Sequence, residues 1–381
     1  MSQTSEKSVR KVLFVTGTRA DFGKMKPLAL AARDAGHSVT FFVTGMHMLR
    51  RYGLTKVEVA RTEGVERAEF VNQQEGDSQD RILSSTITGF SAYIAEERPD
   101  LVVIHGDRVE ALATGLVCAI NYVRCVHVEG GEVSGTIDEI YRHCNTKLCT
   151  AHLVSSDAAR DRVVRLGESP ARVFVMGSPE LDAHFRPSGV TLDEVRERYE
   201  IPWEDYGIAV FHPVTSESES MGKQAEALFD ALDKSGRNFV VIAPNNDPGS
   251  ADIFEVLERL PAARFRVIPS MRFAYFSELL RNAGAMIGNS SAGVREHLSS
   301  ASRVSMSVRA RQTGQPLRRS HLLRPKTARP SSVSSRTPGA IASSVTQPSV
   351  QAMQPSDLWR SSSLKTCGLC RSRRSSSTVR A

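Results

Sequence analysis

The chain has 381 residues, of which 24% are charged, and its formal net charge at pH 7 is +7. Its polar first residues lack the apolar core of a signal peptide, and no apolar run reaches the roughly 18 residues that span a bilayer. Six scattered cysteines are typical of reduced thiols, so we expect a cytoplasmic protein with no membrane partner.

Apolar strand-like segments alternate with helical segments along the first 182 residues. The alternation indicates parallel β-α units in a doubly wound sheet. We therefore place an amino-terminal domain over residues 1–185. Its strands are predicted at residues 11–18, 38–45, 101–107, 124–131, 152–156 and 172–182, and residues 79–97 have the period of an amphipathic helix.

A second series of strands follows a break in this pattern. Residues 184–206 lose periodicity and contain Pro187 and Pro202, so residues 186–206 are predicted to be an interdomain linker. The fold class is therefore α/β, with two Rossmann-like domains, the second over residues 207–300, and the active site in the cleft between them. The second set of strands is predicted within residues 206–215, 238–247, 264–271 and 285–298.

Two charged turns follow buried-type strands in the first domain. They are HGDR at residues 105–108 and HVEGGEVSGTIDEIYRHCNTK at residues 127–147. In an open α/β sheet such turns lie at the carboxyl ends of the strands, where ligands bind. Carboxylates crowded into one cleft can have their pKa values pushed apart, as general acid–base catalysis requires. A solvated polar loop is the alternative. The ionisable residues of the two turns include Asp107, Glu129, Glu132, Asp138, Glu139, His105, Arg108, His127, Arg142 and His143.

Two other turns are candidate phosphate sites. Ser290 and Ser291 begin a helix after an apolar strand, where free N–H groups and hydroxyls favour an anion; an ordinary helix cap is the alternative. Arg19 and Lys24 follow the first strand and can hold phosphate oxygens, unless Arg19 forms a surface ion pair with Asp21. That turn lacks the motif G-x-G-x-x-G, so a nicotinamide cofactor is not indicated.

Polar residues also end two strands of the second domain. His212 follows one strand, and Asn245 and Asp247 follow the next. A lone histidine is more often structural than catalytic, although its place at a strand end keeps the catalytic interpretation open. No set of His, Cys, Asp and Glu has convincing spacing for a metal site, and we expect no metal.

Seven segments together resemble the hydrolysing UDP-N-acetylglucosamine 2-epimerases of sialic- and legionaminic-acid-type biosynthesis. Any one of them is a weak signal, whereas the ordered set is specific. The family is similar in fold to glycosyltransferases of the GT-B type, which have two such domains. In order, between about residues 11 and 296, the segments are TGTRADFGKMKPL, FVTGMHML, VIHGDRVEALA, HVEGGEVSGTIDEIYRHCNTKL, FHPVT, IAPNNDPGS and MIGNSSAGVRE.

The resemblance implies an enzyme that acts on a nucleotide sugar without an added cofactor. A base removes the proton at C2 of the sugar while UDP leaves from C1, and water then adds to the resulting 2-acetamidoglucal. The products are N-acetylmannosamine and UDP. A homo-oligomer, either a dimer or a tetramer, is also implied.

The same motifs imply residue roles. Asp107, Glu129 and Asp138 match the family's acid–base carboxylates, and which of them takes the C2 proton stays open. His212 matches a residue near the diphosphate and C1, as an acid or a charge stabiliser. Residues that match nucleotide and diphosphate contacts are Arg19, Lys24, Arg108, Asn245, Ser290, Ser291 and Glu296, and those that match other cleft residues are His47, Arg142 and His143.

The sequence after Glu296 departs from the family pattern. Residues 301–381 hold 15 Lys and Arg, one acidic residue and neither Phe nor Tyr, whereas the first 300 residues hold 34 Lys and Arg against 41 Asp and Glu. Such a segment cannot bury enough apolar surface to fold, so a disordered basic tail is predicted. We interpret it as the product of a reading-frame shift shortly after residue 296, which predicts weak or absent activity. Charge alone would allow nucleic-acid binding, but only Trp359 of this segment could stack on bases.

Other functions remain open. A related hydrolysing epimerase could act on GDP-N-acetylglucosamine or on a UDP-linked 2,4-diacetamido sugar, because the motifs bind diphosphate without reading the base. A GT-B glycosyltransferase is disfavoured by three carboxylates suited to proton transfer. A non-hydrolysing epimerase is disfavoured by the sequence motifs RADFGK and EGGEVSGTID. The alternative of a different class is a non-catalytic remnant with an altered carboxyl-terminal sequence.

Overall fold

The computed structural model describes residues 8–134, 137–178 and 189–289, together with the backbone of residues 305–307. They form two parallel β-sheets; we call residues 8–178 the first half and residues 189–289 the second half. The first sheet contains β1 (Lys11–Thr16), β2 (Ser38–Val43), β3 (Glu66–Glu69), β4 (Leu101–His105), β5 (Cys125–Val128), β6 (Ala151–Val154) and β7 (Val173–Val175). The second contains β8 (Gly207–Val210), β9 (Phe239–Ile242), β10 (Phe265–Ile268), β11 (Ala285–Gly288) and β12 (Ser305–Ser307). The α/β fold with two Rossmann-like sheets, predicted from the sequence, is confirmed.

Helices connect most successive strands. In the first half they are α1 (Arg19–Asp34), α2 (Lys56–Ala60), α3 (Gln79–Glu97), α4 (Val109–Ile120), α5 (Ile137–Leu148) and α6 (Asp157–Arg165). In the second half they are α7 (Leu192–Tyr199), α8 (Met221–Lys234), α9 (Ser250–Glu258) and α10 (Phe273–Asn282). None of the helices in the described ranges is long and apolar enough to cross a membrane.

Each sheet reverses its strand order at one point. The first runs β3-β2-β1-β4-β5-β6-β7, so the order reverses between β1 and β4. The second runs β10-β9-β8-β11-β12 and reverses between β8 and β11. In open α/β sheets, ligands bind beyond the carboxyl ends of the strands at such points. The turns after these four strands are therefore where a ligand is expected.

Strand β1 is buried on both of its faces. Phe14 belongs to an apolar cluster with Phe41, whereas its neighbours Leu13 and Val15 belong to another cluster with Phe90 of α3. Alternate side chains thus face opposite sides of the sheet, and burying each contributes about 1.5–3 kcal/mol. A strand that is apolar throughout is typical of a parallel sheet covered on both faces.

The segment predicted to be a linker contains a helix. Helix α7 begins with a capping box, in which Thr191 Oγ1 accepts from Glu194 N and the Glu194 carboxylate accepts from Thr191 N. Val195 of this helix is fully buried in the same apolar cluster as Leu279 of α10. The motif T-x-x-E at residues 191–194 signals this helix start, although the helix is too short for a clear apolar period.

The second sheet continues past residue 300. Strand β12 runs parallel to β11, with Met286 opposite Ser305 and Gly288 opposite Ser307. The predicted tail begins at residue 301, so these three residues of it extend the sheet.

Candidate active site

The turn after β1 is organised by the carboxylate of Asp21. This carboxylate accepts hydrogen bonds from Thr16 Oγ1 at 2.5 Å, Gly17 N at 3.0 Å and Thr18 N at 3.1 Å. Thr18 Oγ1 accepts from Asp21 N in return, which completes a capping box at the start of α1. Asp21 is therefore committed to the turn itself, and the alternative of an Arg19–Asp21 surface ion pair is not the arrangement found.

Arg19, the first residue of α1, is held instead by a carboxylate of α2. Arg19 Nε donates to Glu58 Oε2 at 2.6 Å, and the other oxygen of Glu58 lies 2.8 Å from Arg272 Nε. Arg272 is the residue immediately before α10, so this carboxylate joins the first half to the second. Arg19 Nη1 is buried and has no hydrogen-bond partner within the described ranges.

Lys24 of α1 reaches the turn after β5. Lys24 Nζ donates to Glu129 Oε2 at 2.9 Å, and His105 Nε2 lies 3.1 Å from the same oxygen. Burial alone would raise the pKa of Glu129, but Lys24 and His105 outweigh it and hold this pKa well below its usual range. Glu129 is therefore an anion enclosed by two nitrogen groups. His105 belongs to the charged turn predicted from the sequence, but no role could be predicted for it there.

The backbone of Glu129 is strained. Its φ is +61°, in the left-handed region, which costs a residue other than glycine about 1–2 kcal/mol. Glu129 N donates to Leu153 O at 2.8 Å, which fixes the residue against β6. Strain of this kind is concentrated at functional sites, where it aims a side chain.

A second carboxylate of the charged turns is paired with α5. Asp107 follows β4, and its Oδ2 accepts a hydrogen bond from Arg142 Nη2. His143 Nε2 lies 3.7 Å from Glu139 Oε1, one turn earlier on the same helix. The structure thus brings Asp107 and Arg142 together, while the ion-pair neighbour of His143 belongs to its own helix.

His127 of β5 holds the turn after β4 through a hydrogen bond. Its Nε2 lies 2.8 Å from Gly106 O, and its Nδ1 lies 3.2 Å from Thr146 Oγ1. Burial lowers the pKa of His127 to about 3, so the ring is neutral at pH 7 and Nε2 carries the proton donated to the carbonyl. His127 therefore positions the HGDR turn and does not face a ligand.

His47, predicted to be a cleft residue, lies beneath the turn after β1. Its ring is fully buried, with Nε2 2.9 Å from Thr16 Oγ1 and Nδ1 2.6 Å from Thr55 Oγ1. Burial lowers its pKa to about 4. With both nitrogens engaged and no exposed surface, His47 supports the turn instead of facing the cleft.

Arg108 connects the two halves at the carboxyl ends of their sheets. Its Nη1 donates to Asp247 Oδ1 at 3.0 Å, and its Nη2 donates to Asn246 Oδ1 at 2.5 Å. Burial opposes the charge on Arg108, but Asp247 and Glu110 outweigh it and raise its pKa. Asn245, another predicted contact, donates from Nδ2 to Asp247 Oδ2 at 2.5 Å.

A buried chain of polar side chains lies behind Arg108. Gln73 Nε2 donates to Glu110 Oε1 at 3.1 Å, and Gln73 Oε1 accepts from Asn246 Nδ2 at 2.6 Å. Burial raises the pKa of Glu110. Neither Gln73 nor Asn246 was singled out in the sequence, because nothing in the local pattern shows which residues meet across the two sheets.

His212 follows β8 and is oriented by two neighbouring turns. Its backbone N donates to Asn289 Oδ1 at 2.8 Å, and Asn289 Nδ2 donates back to His212 O at 2.7 Å. Asn245 N donates to His212 Nδ1 at 3.2 Å, and burial lowers the pKa of the ring. Since Nδ1 accepts this hydrogen bond, the neutral ring carries its own proton on Nε2.

Asp138 faces a small cavity between the two halves. The lining of the cavity comprises Gln79, Ile82, Arg108, Val109, Asp138, Tyr141, Asn246 and Asp247.

Of the other predicted site residues, Ser290, Ser291 and Glu296 lie outside the described ranges.

The chain is similar in sequence to nucleotide-sugar epimerases. The sequence model of the UDP-N-acetylglucosamine 2-epimerase family matches residues 30–336, which extends beyond Glu296. A UDP-N-acetylglucosamine 2-epimerase of Neisseria meningitidis serogroup B is 44% identical over 289 residues, or 76% of this chain and 77% of that protein. A UDP-N,N'-diacetylbacillosamine 2-epimerase (hydrolyzing) of Legionella pneumophila is 32% identical over 295 residues, or 76% of this chain and 78% of that protein.

The fold has close counterparts among solved structures. The crystal structure of Methanocaldococcus jannaschii UDP-GlcNAc 2-epimerase in complex with UDP-GlcNAc and UDP matches with a TM-score of 0.64 at 17% identity, covering 78% of this chain and 83% of that chain. This likeness confirms the GT-B type of fold. Together with the sequence matches, it shows that the chain belongs to the UDP-N-acetylglucosamine 2-epimerase family of nucleotide-sugar epimerases.

Proposed function

We propose that this protein is a hydrolysing nucleotide-sugar 2-epimerase, which converts UDP-N-acetylglucosamine and water to N-acetylmannosamine and UDP. The observation that carries the proposal is the enclosure of Glu129 by Lys24 and His105 at the carboxyl end of the first sheet. An ionised carboxylate beside a lysine suits a reaction that needs a proton acceptor at one carbon and a cation near a departing diphosphate. The hydrolysing Legionella pneumophila relative supports water as the second substrate.

The first step of the proposed reaction is an elimination. A carboxylate takes the proton from C2, the C2–H electrons form the C1=C2 double bond, and UDP leaves C1 with the electrons of the C1–O bond. Water then adds its oxygen to C1, and a proton returns to the opposite face of C2. We assign these proton transfers to Asp107, Glu129 and Asp138, and the choice of the C2 base among them is open.

The surroundings of these carboxylates suit them to different parts of the reaction. Lys24 and His105 keep Glu129 ionised, so at neutral pH it has no proton to donate and can only accept one. Asp138 lines the cavity beside Arg108, which supports a role for it next to the bound sugar.

We propose that cations and N–H donors from both halves hold the leaving diphosphate. Arg19 offers its buried Nη1, and His212 offers Nε2–H. Donors placed where negative charge develops stabilise the departing group in the transition state. The predicted contacts of Lys24, Arg108, Asn245, Ser290, Ser291 and Glu296 complete this proposal.

A second candidate substrate is a UDP-linked 2,4-diacetamido sugar. The Legionella pneumophila relative, whose name specifies such a sugar, aligns over the same share of this chain as the Neisseria meningitidis relative. The additional acetamido group is at C4, away from the atoms that react. A direct comparison of kcat/KM for the two sugars decides between them.

Proton NMR of UDP-N-acetylglucosamine incubated with the protein in heavy water tests the proposal. We expect N-acetylmannosamine that carries deuterium at C2, together with free UDP. A product that stays linked to UDP would identify a non-hydrolysing epimerase, and an absolute need for a sugar acceptor would identify a glycosyltransferase. Turnover of the diacetamido sugar alone would support the second candidate.

We further propose that the enzyme works in the cytoplasm as a homo-oligomer, either a dimer or a tetramer. This assignment comes from the family resemblance. Light scattering coupled to size-exclusion chromatography measures the mass of the assembly, and a mass near 41.7 kDa, that of one chain, contradicts it.

A further inference from the structure

Glu58 lies between two arginines that come from different halves of the protein. Its Oε2 accepts from Arg19 Nε at 2.6 Å, and its Oε1 lies 2.8 Å from Arg272 Nε. We propose that Glu58 is a positioning residue that aims the Arg19 guanidinium at the diphosphate and makes this aim depend on the approach of the second half. The inference rests on the proposed function, in which Arg19 contacts the diphosphate.

The bond to Nε leaves the outer nitrogens of Arg19 available. A guanidinium is planar, so a hydrogen bond that fixes Nε also fixes the plane in which both Nη groups point. Arg19 Nη1 is buried and has no hydrogen-bond partner in the described part of the chain. A buried donor without a partner costs about 1–3 kcal/mol, which an anionic ligand would recover.

Arg272 brings the second half into the same contact. It immediately precedes α10, and the next residue, Phe273, packs against α1 at Gly23, where a Cβ would lie 3.8 Å from Phe273 Cβ. Glu58 therefore receives a cation from the second half close to where that half touches the helix that begins with Arg19. Without the carboxylate, Arg19 and Arg272 would face each other as like charges.

The surroundings of Glu58 favour positioning over a purely surface role. The side chains of Glu58 and Arg19 are 14% and 17% exposed, so their ion pair is largely screened from solvent. Glu69 provides a matched control in the first half. It lies 2.7 Å from Lys56 Nζ and 3.2 Å from Arg67 Nε, and is more exposed. It too is a carboxylate between two cations, and Lys56 lies on the same helix as Glu58.

The test measures UDP binding by calorimetry, steady-state kinetics and melting temperature for the full chain. Glu58→Gln is expected to weaken UDP binding about tenfold, equivalent to about 1.4 kcal/mol, and to raise KM by a similar factor while kcat changes by less than about threefold. Arg272→Gln is expected to weaken UDP binding about threefold, and Glu69→Gln by less than about twofold.

A double-mutant cycle shows whether Glu58 acts through Arg19. In an Arg19→Gln background, adding Glu58→Gln is expected to weaken UDP binding by less than about twofold, because the residue to be positioned is absent. A full tenfold effect in that background overturns the proposal, as does a folded Glu58→Gln protein with unchanged affinity for UDP. If Glu58→Gln does not fold, unchanged UDP affinity in Arg272→Gln overturns the link to the second half. Failure of the unaltered protein to bind UDP overturns the proposed function, and this inference with it.

Discussion

Arg108 and Asp247 join the two halves of the protein through a hydrogen bond of 3.0 Å between Arg108 Nη1 and Asp247 Oδ1. Arg108 precedes α4 of the first half, and Asp247 follows β9 of the second. Because the protein itself compensates the charge of Arg108, a diphosphate that binds Arg108 must share it with Asp247 or displace that carboxylate. The contact that this pair makes between the halves therefore depends on whether an anion is bound to Arg108.

Removal of this carboxylate should be costly. We expect Asp247→Ala to lower the free energy of unfolding by about 3 kcal/mol, because it leaves Arg108 largely buried and without the carboxylate to which it donates a hydrogen bond. Urea unfolding measures the loss. Glu226, whose pair with Arg259 is exposed, is the control, and Glu226→Ala is expected to cost less than about 1 kcal/mol. Equal losses for the two variants would show that the Arg108–Asp247 pair adds nothing specific.

Glu129 should matter for turnover more than for substrate binding. We expect Glu129→Gln to lower kcat by about 10²–10⁴, since the amide cannot accept the proton that the carboxylate accepts. Glu168 is a matched control, because it also lies between a lysine and a histidine, Lys147 at 2.6 Å and His152 at 3.4 Å. Glu168→Gln is expected to keep kcat within about twofold. A Glu129→Gln protein with unchanged kcat removes Glu129 from the list of proton-transfer residues.

The parts of the structure that depend on local pattern could be predicted from the sequence. Strand β1 is apolar throughout because both of its faces are covered, and the T-x-x-D sequence at residues 18–21 forms the capping box that begins α1. Residues 105–108 are predicted to end a strand in a charged turn, and His105 is the last residue of β4.

Contacts between distant residues could not be predicted in this way. Glu58 and Gln73 look like ordinary polar residues in the sequence, yet each has one partner more than 170 residues away in the second half. His47 could be identified as a residue of a turn, but periodicity does not show that the turn folds over it. Tertiary packing decides such positions, and a single sequence carries no local signal of it.

The tautomer of His212 leads to a prediction that separates two similar variants. Since Nδ1 accepts from Asn245 N, the working proton is on Nε2. The amide nitrogen of glutamine reaches approximately the position of Nε2, whereas the amide of asparagine is limited to that of Nδ1. We expect His212→Gln to keep about tenfold more kcat/KM than His212→Asn, because it keeps one hydrogen bond to the leaving group and such a bond contributes about 1.4 kcal/mol. The opposite order would assign the chemistry to Nδ1.

The sequence after Glu296 provides another test. Residues 301–381 contain one acidic residue and neither Phe nor Tyr. If a frame shift produced them, a chain with the frame restored after residue 296 should bind UDP at least about tenfold more tightly and turn over faster, because apolar surface can then be buried. Calorimetry on both chains measures this difference. Equal affinity and turnover would contradict the frame-shift interpretation.

Two buried histidines should make the first half sensitive to acid. Burial lowers the pKa of His47 to about 4 and that of His127 to about 3, against 6.5 in the unfolded chain. Between pH 6.5 and these values the unfolded state binds more protons than the folded state, so the free energy of unfolding falls as the pH falls. At pH 5 each histidine should lower it by about 2 kcal/mol relative to pH 7, since one pKa unit is worth about 1.4 kcal/mol. Urea unfolding at the two pH values, followed by circular dichroism, measures the difference.

The variant His127→Asn should reduce that difference by about 2 kcal/mol, whatever its effect on stability at pH 7. A variant with the same difference as the unaltered protein would contradict the assignment of a neutral, buried ring to His127.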